Sequence, residues 1–90
     1  MSEVMDVDGK RFVALRQALT AMGGHVNWDN HTKTATIDMN GKQTVVTMED
    51  QNASFDGQVL TLSAAPFVKD GTLYVPEDFF PGILRTQMPF

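Results

Sequence analysis

The sequence contains no cysteine, no long apolar run and no block of like charge. Without cysteine, neither a disulfide framework nor a thiolate metal site can form. No stretch approaches the roughly 18 consecutive apolar residues of a membrane-spanning helix, so we expect no membrane insertion. The first ten residues lack the basic start and apolar run of a signal peptide. Export would therefore require that a signal has been removed, or that this chain is a domain excised from a longer protein.

The charged residues are scattered along the chain and sum to a net charge of −4, from eleven acidic and seven basic side chains. Nucleic-acid-binding proteins cluster lysine and arginine on one face, so this distribution argues against nucleic acid as a partner. An acidic surface also argues against binding to anionic membranes. In 90 residues, a hydrophobic content of 42% suffices for one compact core, and we predict a single domain over residues 1–90.

Four dipeptides predict tight hairpin turns, because Asp-Gly and Asn-Gly tolerate the positive φ angles of type I′ turns. They are Asp8-Gly9, Asn40-Gly41, Asp56-Gly57 and Asp70-Gly71. The alternation of apolar residues around the last three turns predicts the cross-strand pairs Met39 with Lys42, Ile37 with Thr44, Ala35 with Val46, Phe55 with Gln58, Ala53 with Leu60, and Phe67 with Tyr74. Such spacing is typical of an antiparallel meander, here of about five strands.

One segment, "ALRQALTAMGG" at residues 14–24, has helical rather than strand periodicity. Its apolar residues Leu15, Ala18, Leu19 and Met22 fall on one face, and Gly23 follows as a helix stop. A helix with a single apolar face must bury that face against another element. The predicted fold is therefore α+β, with a twisted antiparallel sheet wrapped around one main α-helix.

Two segments of the chain echo each other at an offset of 62 residues: "DGKRFVALRQAL" from Asp8 and "DGTLYVPEDFF" from Asp70. Both indicate a turn, a strand and a helix start. In the second copy, Pro76 is the predicted first helical residue, and Pro81-Gly82 is predicted to end that helix early. Because both segments could occupy similar positions in the fold, one chain could insert a terminal segment into another. Such exchange is one predicted route to a dimer.

The stretch "GGHVNWDNHTKTATID" contains the histidines His25 and His31, the candidate metal ligands of the chain. It predicts two strands joined by a short loop. If Trp28 faces Lys33, His25 lies across from Thr36, on the opposite strand face from Trp28, and His31 lies at the loop tip. The imidazoles would then be about 10 Å apart or more, whereas a shared metal needs each nitrogen at about 2 Å. We favour a solvated hairpin over a metal site, and a core position for Trp28 over a ligand platform.

Six methionines suggest a further alternative, because thioether and imidazole ligands suit copper(I). Met22, Met39 and Met48, however, fall on predicted core faces, where methionine usually fills gaps. No serine has a histidine near it in the sequence, and no glycine-rich phosphate loop opens a helix. We therefore expect no catalytic residues and no cofactor.

Three stretches together carry a family likeness: "RFVALRQALTAMGGHVNWDNHTKTATI", "NGKQTVVTM" and "FDGQVLTLSAAPFVKDGTLYVPEDFF". In this order they resemble the N-terminal domain of bacterial copper amine oxidases, which recurs as a stalk domain in exported bacterial proteins. The closest matches are "VNWD" at residues 26–29 and "APFVKDGTLYVP" at residues 65–76, whereas Ala14 stands where the pattern has proline. The resemblance covers about residues 8–80 and leaves residues 81–90 as a C-terminal tail.

The resemblance implies a non-catalytic accessory domain, since copper and the tyrosine-derived quinone of such oxidases belong to a separate catalytic domain. It implies an exported protein (periplasmic, cell-surface or secreted) in which the domain serves interaction, spacing or self-association. An alternative is an independent binding module for cell wall, glycan or a partner protein. That module would use an exposed aromatic surface, with candidates Tyr74, Phe79, Phe80 and Phe90. A small Met/His copper-handling protein is the third hypothesis.

Overall fold

A computed structural model describes residues 4–39 and 41–84, which form nine strands and two short helices. The elements are β1 (Val4–Val7), β2 (Lys10–Ala14), α1 (Leu15–Ala21), β3 (His25–Asp29), β4 (Thr34–Met39), β5 (Lys42–Thr47), β6 (Asn52–Phe55), β7 (Gln58–Thr61), β8 (Phe67–Lys69), β9 (Thr72–Pro76) and a C-terminal π-helix (Phe79–Leu84). Neither helix is long and apolar enough to cross a bilayer, among the residues that the structure describes.

The strands form two antiparallel sheets. The first sheet has the order β1-β2-β9-β8, and the second is a meander in the order β3-β4-β5-β6-β7. The fold is therefore mainly β with little helix. The prediction of antiparallel hairpins is confirmed, but the prediction of one sheet of about five strands around a main helix is wrong. The second sheet alone has five strands, and the β1–β2 and β8–β9 hairpins pair to form another sheet.

The tight turns have the predicted backbone conformation. Asp8, Asp56 and Asp70 have φ angles of 52°, 50° and 51°, and the glycine after each also has a positive φ. Both central residues of a type I′ turn require this conformation. All six predicted cross-strand pairs around the last three turns are present. Asn40 lies outside the described residues.

The helix α1 lies between the two sheets and contributes to the main core. It contacts β2 and β9 of the first sheet and β3 of the second. Leu15, Ala18 and Leu19 are fully buried, and Met22 packs against the same core, as the apolar face predicted. Gly23, with a φ of 80°, follows the end of the helix. The helix therefore connects the β3 edge of the second sheet to β2 and β9 of the first sheet.

The first sheet buries side chains on both of its faces. Val13 and Val75 belong to the main core, whereas Phe12 and Tyr74, which alternate with them, form a smaller cluster on the other face. The ring of Phe67 covers that cluster, with its centroid 4.9 Å from Phe12 and 5.4 Å from Tyr74. Burial on both faces explains why β2 is apolar at consecutive positions rather than at alternate ones.

The second helix begins later than the sequence predicted. Pro76 is the last residue of β9, and the Glu77 amide donates a hydrogen bond of 3.0 Å to the Arg11 carbonyl, which continues the ladder with β2. A helix cannot start while the backbone remains in this ladder. The π-helix starts at Phe79 and contains Pro81 instead of ending there. Proline is tolerated because amides in a first helical turn have no intrahelical acceptor.

Candidate binding groove

An open groove of about 330 Å³ lies where α1, the start of the second sheet and the β8–β9 hairpin meet. Its apolar wall includes Leu15, Val26, Trp28, Ala35, Met48 and Leu73. The volume is near the lower end of the range for ligand pockets, about 300–1,000 Å³. The groove can therefore hold a small group or a few side chains of a larger partner.

Trp28 contributes the largest side chain of the groove wall. It is half-buried and packs against the main core as predicted, yet it also lines the groove. Across the β3–β4 ladder Trp28 pairs with Ala35, and His25 pairs with Asp38. The predicted partners Lys33 and Thr36 are wrong by two positions. Because side chains alternate between the two faces of a strand, a shift of two leaves the predicted faces of His25 and Trp28 correct.

The loop between β3 and β4 explains this shift of register. Lys33 has a φ of 56°, a left-handed conformation that cannot continue an extended strand, so β4 begins at Thr34. The carboxylate of Asp29 accepts hydrogen bonds from the backbone amides of His31 at 2.8 Å and Thr32 at 3.4 Å. Such bonds replace strand pairing with a local turn.

The rim of the groove carries two positive charges. The Lys33 ammonium donates a hydrogen bond of 2.8 Å to the side-chain oxygen of Asn30, and both residues line the groove. Arg16 at the start of α1 also lines it, and its Nη1 donates to the Val26 carbonyl at 3.4 Å. These bonds hold the cations to uncharged oxygens. No aspartate or glutamate is among the groove-lining residues of the described chain.

The family model for the copper amine oxidase N-terminal domain matches residues 2–88. The chain belongs to this family. The family is an accessory domain and not the catalytic domain of those oxidases. No curated protein matches the chain. The match confirms the resemblance noted in the sequence and extends it beyond residues 8–80 in both directions.

Neither histidine of this copper amine oxidase N-terminal domain lies in a cluster of His, Asp or Glu ligands among the described residues. Within residues 4–39 and 41–84, no group of three or more His, Asp or Glu side chains could hold a metal. His25 on β3 and His31 in the following loop are both exposed. Met22 and Met39 pack against the core, while Met48 lines the groove. Met1 and Met88 lie outside the described residues.

Three of the four aromatic residues proposed as an exposed surface, Tyr74, Phe79 and Phe80, lie instead in the interior. Phe79 and Phe80 are fully buried and meet edge to face, with centroids 5.3 Å apart, and Tyr74 is 5% exposed. The expectation of exposed rings at these three positions is therefore wrong. The π-helix packs Phe79 and Phe80 against the main core, whereas Tyr74 on β9 is covered by Phe67 in the smaller cluster. Phe90 lies outside the described residues.

Sequence reasoning missed the groove because its walls come from segments that are distant in the chain. Trp28 and Leu73, for example, are brought together only by the arrangement of the two sheets. The one sequence observation that pointed to the groove was the alternative role of Trp28 as a ligand platform. Local patterns contain no information about which elements face each other across the groove.

Proposed function

We propose that this accessory domain is an interaction module of an exported bacterial protein, which binds a partner through the groove around Trp28. Export and bacterial origin rest on where the family occurs. A spacer needs only a stable fold with inert surfaces. The groove favours interaction over spacing, because it opens beside a half-buried tryptophan and two exposed cations.

Trp28 is the observation that carries the proposal. Aromatic side chains with one packed side and one accessible side are enriched in binding sites, where they bury a large area at little entropic cost. Trp28 is held on β3 by pairing with β4, and Leu15 and Ala35, which also line the groove, are fully buried. The groove is therefore formed before a partner arrives, which lowers the cost of binding.

Retention of the purified domain on isolated cell envelopes of the host bacterium tests this proposal. Envelopes are used both intact and after protease treatment, and bound domain is measured after sedimentation. We expect retention that Trp28→Ala reduces about tenfold or more, and that Lys10→Gln, on the exposed start of β2, leaves unchanged. Loss of retention after protease treatment would identify a protein partner, and its persistence a wall polymer or glycan.

Absence of retention, or equal retention of the wild type and a folded Trp28→Ala variant, would contradict binding through the groove. Circular dichroism of both proteins establishes that the variant is folded. A separate measurement of hydrogen peroxide release from amine substrates tests the non-catalytic role. We expect no release above that of buffer, and turnover by the purified domain would overturn this part of the proposal.

A further inference from the structure

We infer that the groove binds an extended acidic peptide segment, whose apolar side chain contacts Trp28 and whose carboxylates pair with Arg16 and Lys33. This inference rests on the proposed function and names the chemistry of the partner. A segment of a partner protein could supply such a peptide from an exposed loop or a chain end.

Charge complementarity is the first argument for an acidic ligand. The chain has eleven acidic and seven basic residues, yet the described groove lining contains Arg16 and Lys33 and no acidic residue. The ion pairs among the described residues lie elsewhere, between Arg11 and Asp6 and between Lys42 and Asp56. Both groove cations are exposed, and within residues 4–39 and 41–84 neither is in an ion pair that binding a carboxylate would break. Arginine can bind a carboxylate with two parallel hydrogen bonds.

The position of the groove between two sheet edges is the second argument, and it favours an extended chain. β3 is an edge strand of the second sheet and contributes Val26 and Trp28, while β8 is an edge strand of the first sheet and contributes Val68. Edge strands present backbone amides and carbonyls that an added strand can pair with. Val68 is 38% exposed, so an alternating peptide could cover it while pairing along the edge.

The composition of the wall favours a peptide over an acidic glycan. Most of the lining side chains are apolar, and the uncharged polar ones are Gln17, Asn30 and Thr72. A sugar ring would bury several hydroxyl groups, each of which needs a hydrogen-bond partner to offset its desolvation. An apolar peptide side chain has no such requirement. The carboxylates of the peptide then need only Arg16 and Lys33 at the rim as hydrogen-bond donors.

Titration with matched synthetic peptides tests this inference. The acidic probe is a short peptide that alternates Leu and Asp and has blocked ends. In two control peptides, Asn or Lys replaces each Asp. Trp28 is the only tryptophan, so its fluorescence reports directly on the groove, and calorimetry provides an independent affinity. We expect the acidic probe to bind at least about tenfold more tightly than the Asn peptide, which corresponds to about 1.4 kcal/mol.

Protein variants locate the site of binding. The double variant Arg16→Gln/Lys33→Gln should weaken binding of the acidic probe about tenfold or more, while Lys10→Gln should not change it. Rising salt should also weaken binding, because the cations at the rim are exposed. Circular dichroism and urea denaturation of each variant separate loss of binding from loss of fold.

Three results would overturn the inference. The first is equal affinity for the acidic and Asn peptides, and the second is an equal effect of Lys10→Gln and the double variant. The third is tighter binding of a polygalacturonate fragment than of the acidic probe. If envelope retention still depends on Trp28, the proposed function stands and only the acidic-peptide chemistry is wrong. If envelope retention is absent as well, both are wrong.

Discussion

Val13 of β2 lies directly opposite Val75 of β9, and both side chains are fully buried in the main core. These two residues are separated by the same offset as the sequence echo. Their neighbours pair symmetrically about them, Phe12 with Pro76 and Ala14 with Tyr74. The β1–β2 and β8–β9 hairpins thus lie side by side in one sheet. The two similar sequence segments therefore pair with each other within a single chain. Exchange of terminal segments between chains stays a prediction.

The Val13–Val75 pair should be energetically coupled. Val13→Ala and Val75→Ala should each lower the free energy of unfolding by about 2 kcal/mol, because each removes buried methyl groups and leaves a cavity. The double variant should depart from the sum by about 0.5 kcal/mol or more, as expected for residues in contact. Urea denaturation measures all three. Val59→Ala, at a residue 68% exposed, should change stability by less than about 0.5 kcal/mol. Strict additivity of the two core variants would argue against their contact.

Gly24 occupies a site where no side chain fits without movement. A Cβ there would lie 2.6 Å from Cδ1 of Leu19, which is fully buried, and 3.4 Å from Sδ of Met39. Gly24→Ala should therefore destabilise the protein by about 1–3 kcal/mol. The same substitution at Gly82 meets no atom within 4 Å, and it should raise stability by up to about 1 kcal/mol. Thermal or urea unfolding that shows equal effects of the two substitutions would contradict the close approach.

Phe80 should contribute to the stability of the fold and should not contact the binding partner. Phe80→Ala should cost about 3–5 kcal/mol, because the side chain is fully buried against Phe79 and the main core. Urea denaturation with tryptophan fluorescence measures the loss, and Phe80→Leu provides a milder variant that keeps the fold. Envelope retention by Phe80→Leu should equal that of the wild type. A small stability loss together with lost retention would place the ring on the binding surface.

Asp29 should stabilise the loop that carries Lys33 to the groove. Asp29→Ala removes the acceptor for the amides of His31 and Thr32 and should cost about 1 kcal/mol, whereas Asp29→Asn keeps an acceptor oxygen and should cost less. His31→Ala, at an exposed position in the same loop, serves as the matched control and should change stability by less than about 0.5 kcal/mol. If His31→Ala destabilised the protein more than Asp29→Ala, the role assigned to the carboxylate would be wrong.

The parts of the fold that local chemistry determines were predictable from the sequence. Turn dipeptides and alternating apolar residues fixed three hairpin registers, such as Ala35 opposite Val46, and the helical spacing identified the buried face of α1. The β3–β4 register was predicted wrongly because Lys33 adopts a left-handed conformation, and lysine has no intrinsic preference for that conformation. A positive φ at a residue other than glycine, asparagine or aspartate leaves no reliable sequence signal.

The division into two sheets and the groove between them depend on contacts between distant segments. The pairing of β2 with β9 joins residues that precede and follow the whole second sheet in the chain, and the sequence analysis did not predict it. Phe79 and Phe80 were candidates for an exposed aromatic surface, and no local pattern in the sequence shows that the second helix buries them. In the structure, the chain turns inward after Asp78 and buries both rings.

Fluorine NMR of the domain with 5-fluorotryptophan at Trp28 tests binding through the groove most directly. Because the chain has a single tryptophan, one signal reports on the groove wall. Under the proposed function, adding proteins solubilised from the envelopes used in the retention assay should shift or broaden this signal for the wild type and leave it unchanged for Arg16→Gln/Lys33→Gln. If envelopes retain the domain in a protease-sensitive way, an unchanged wild-type signal with proteins solubilised from those envelopes would contradict the account.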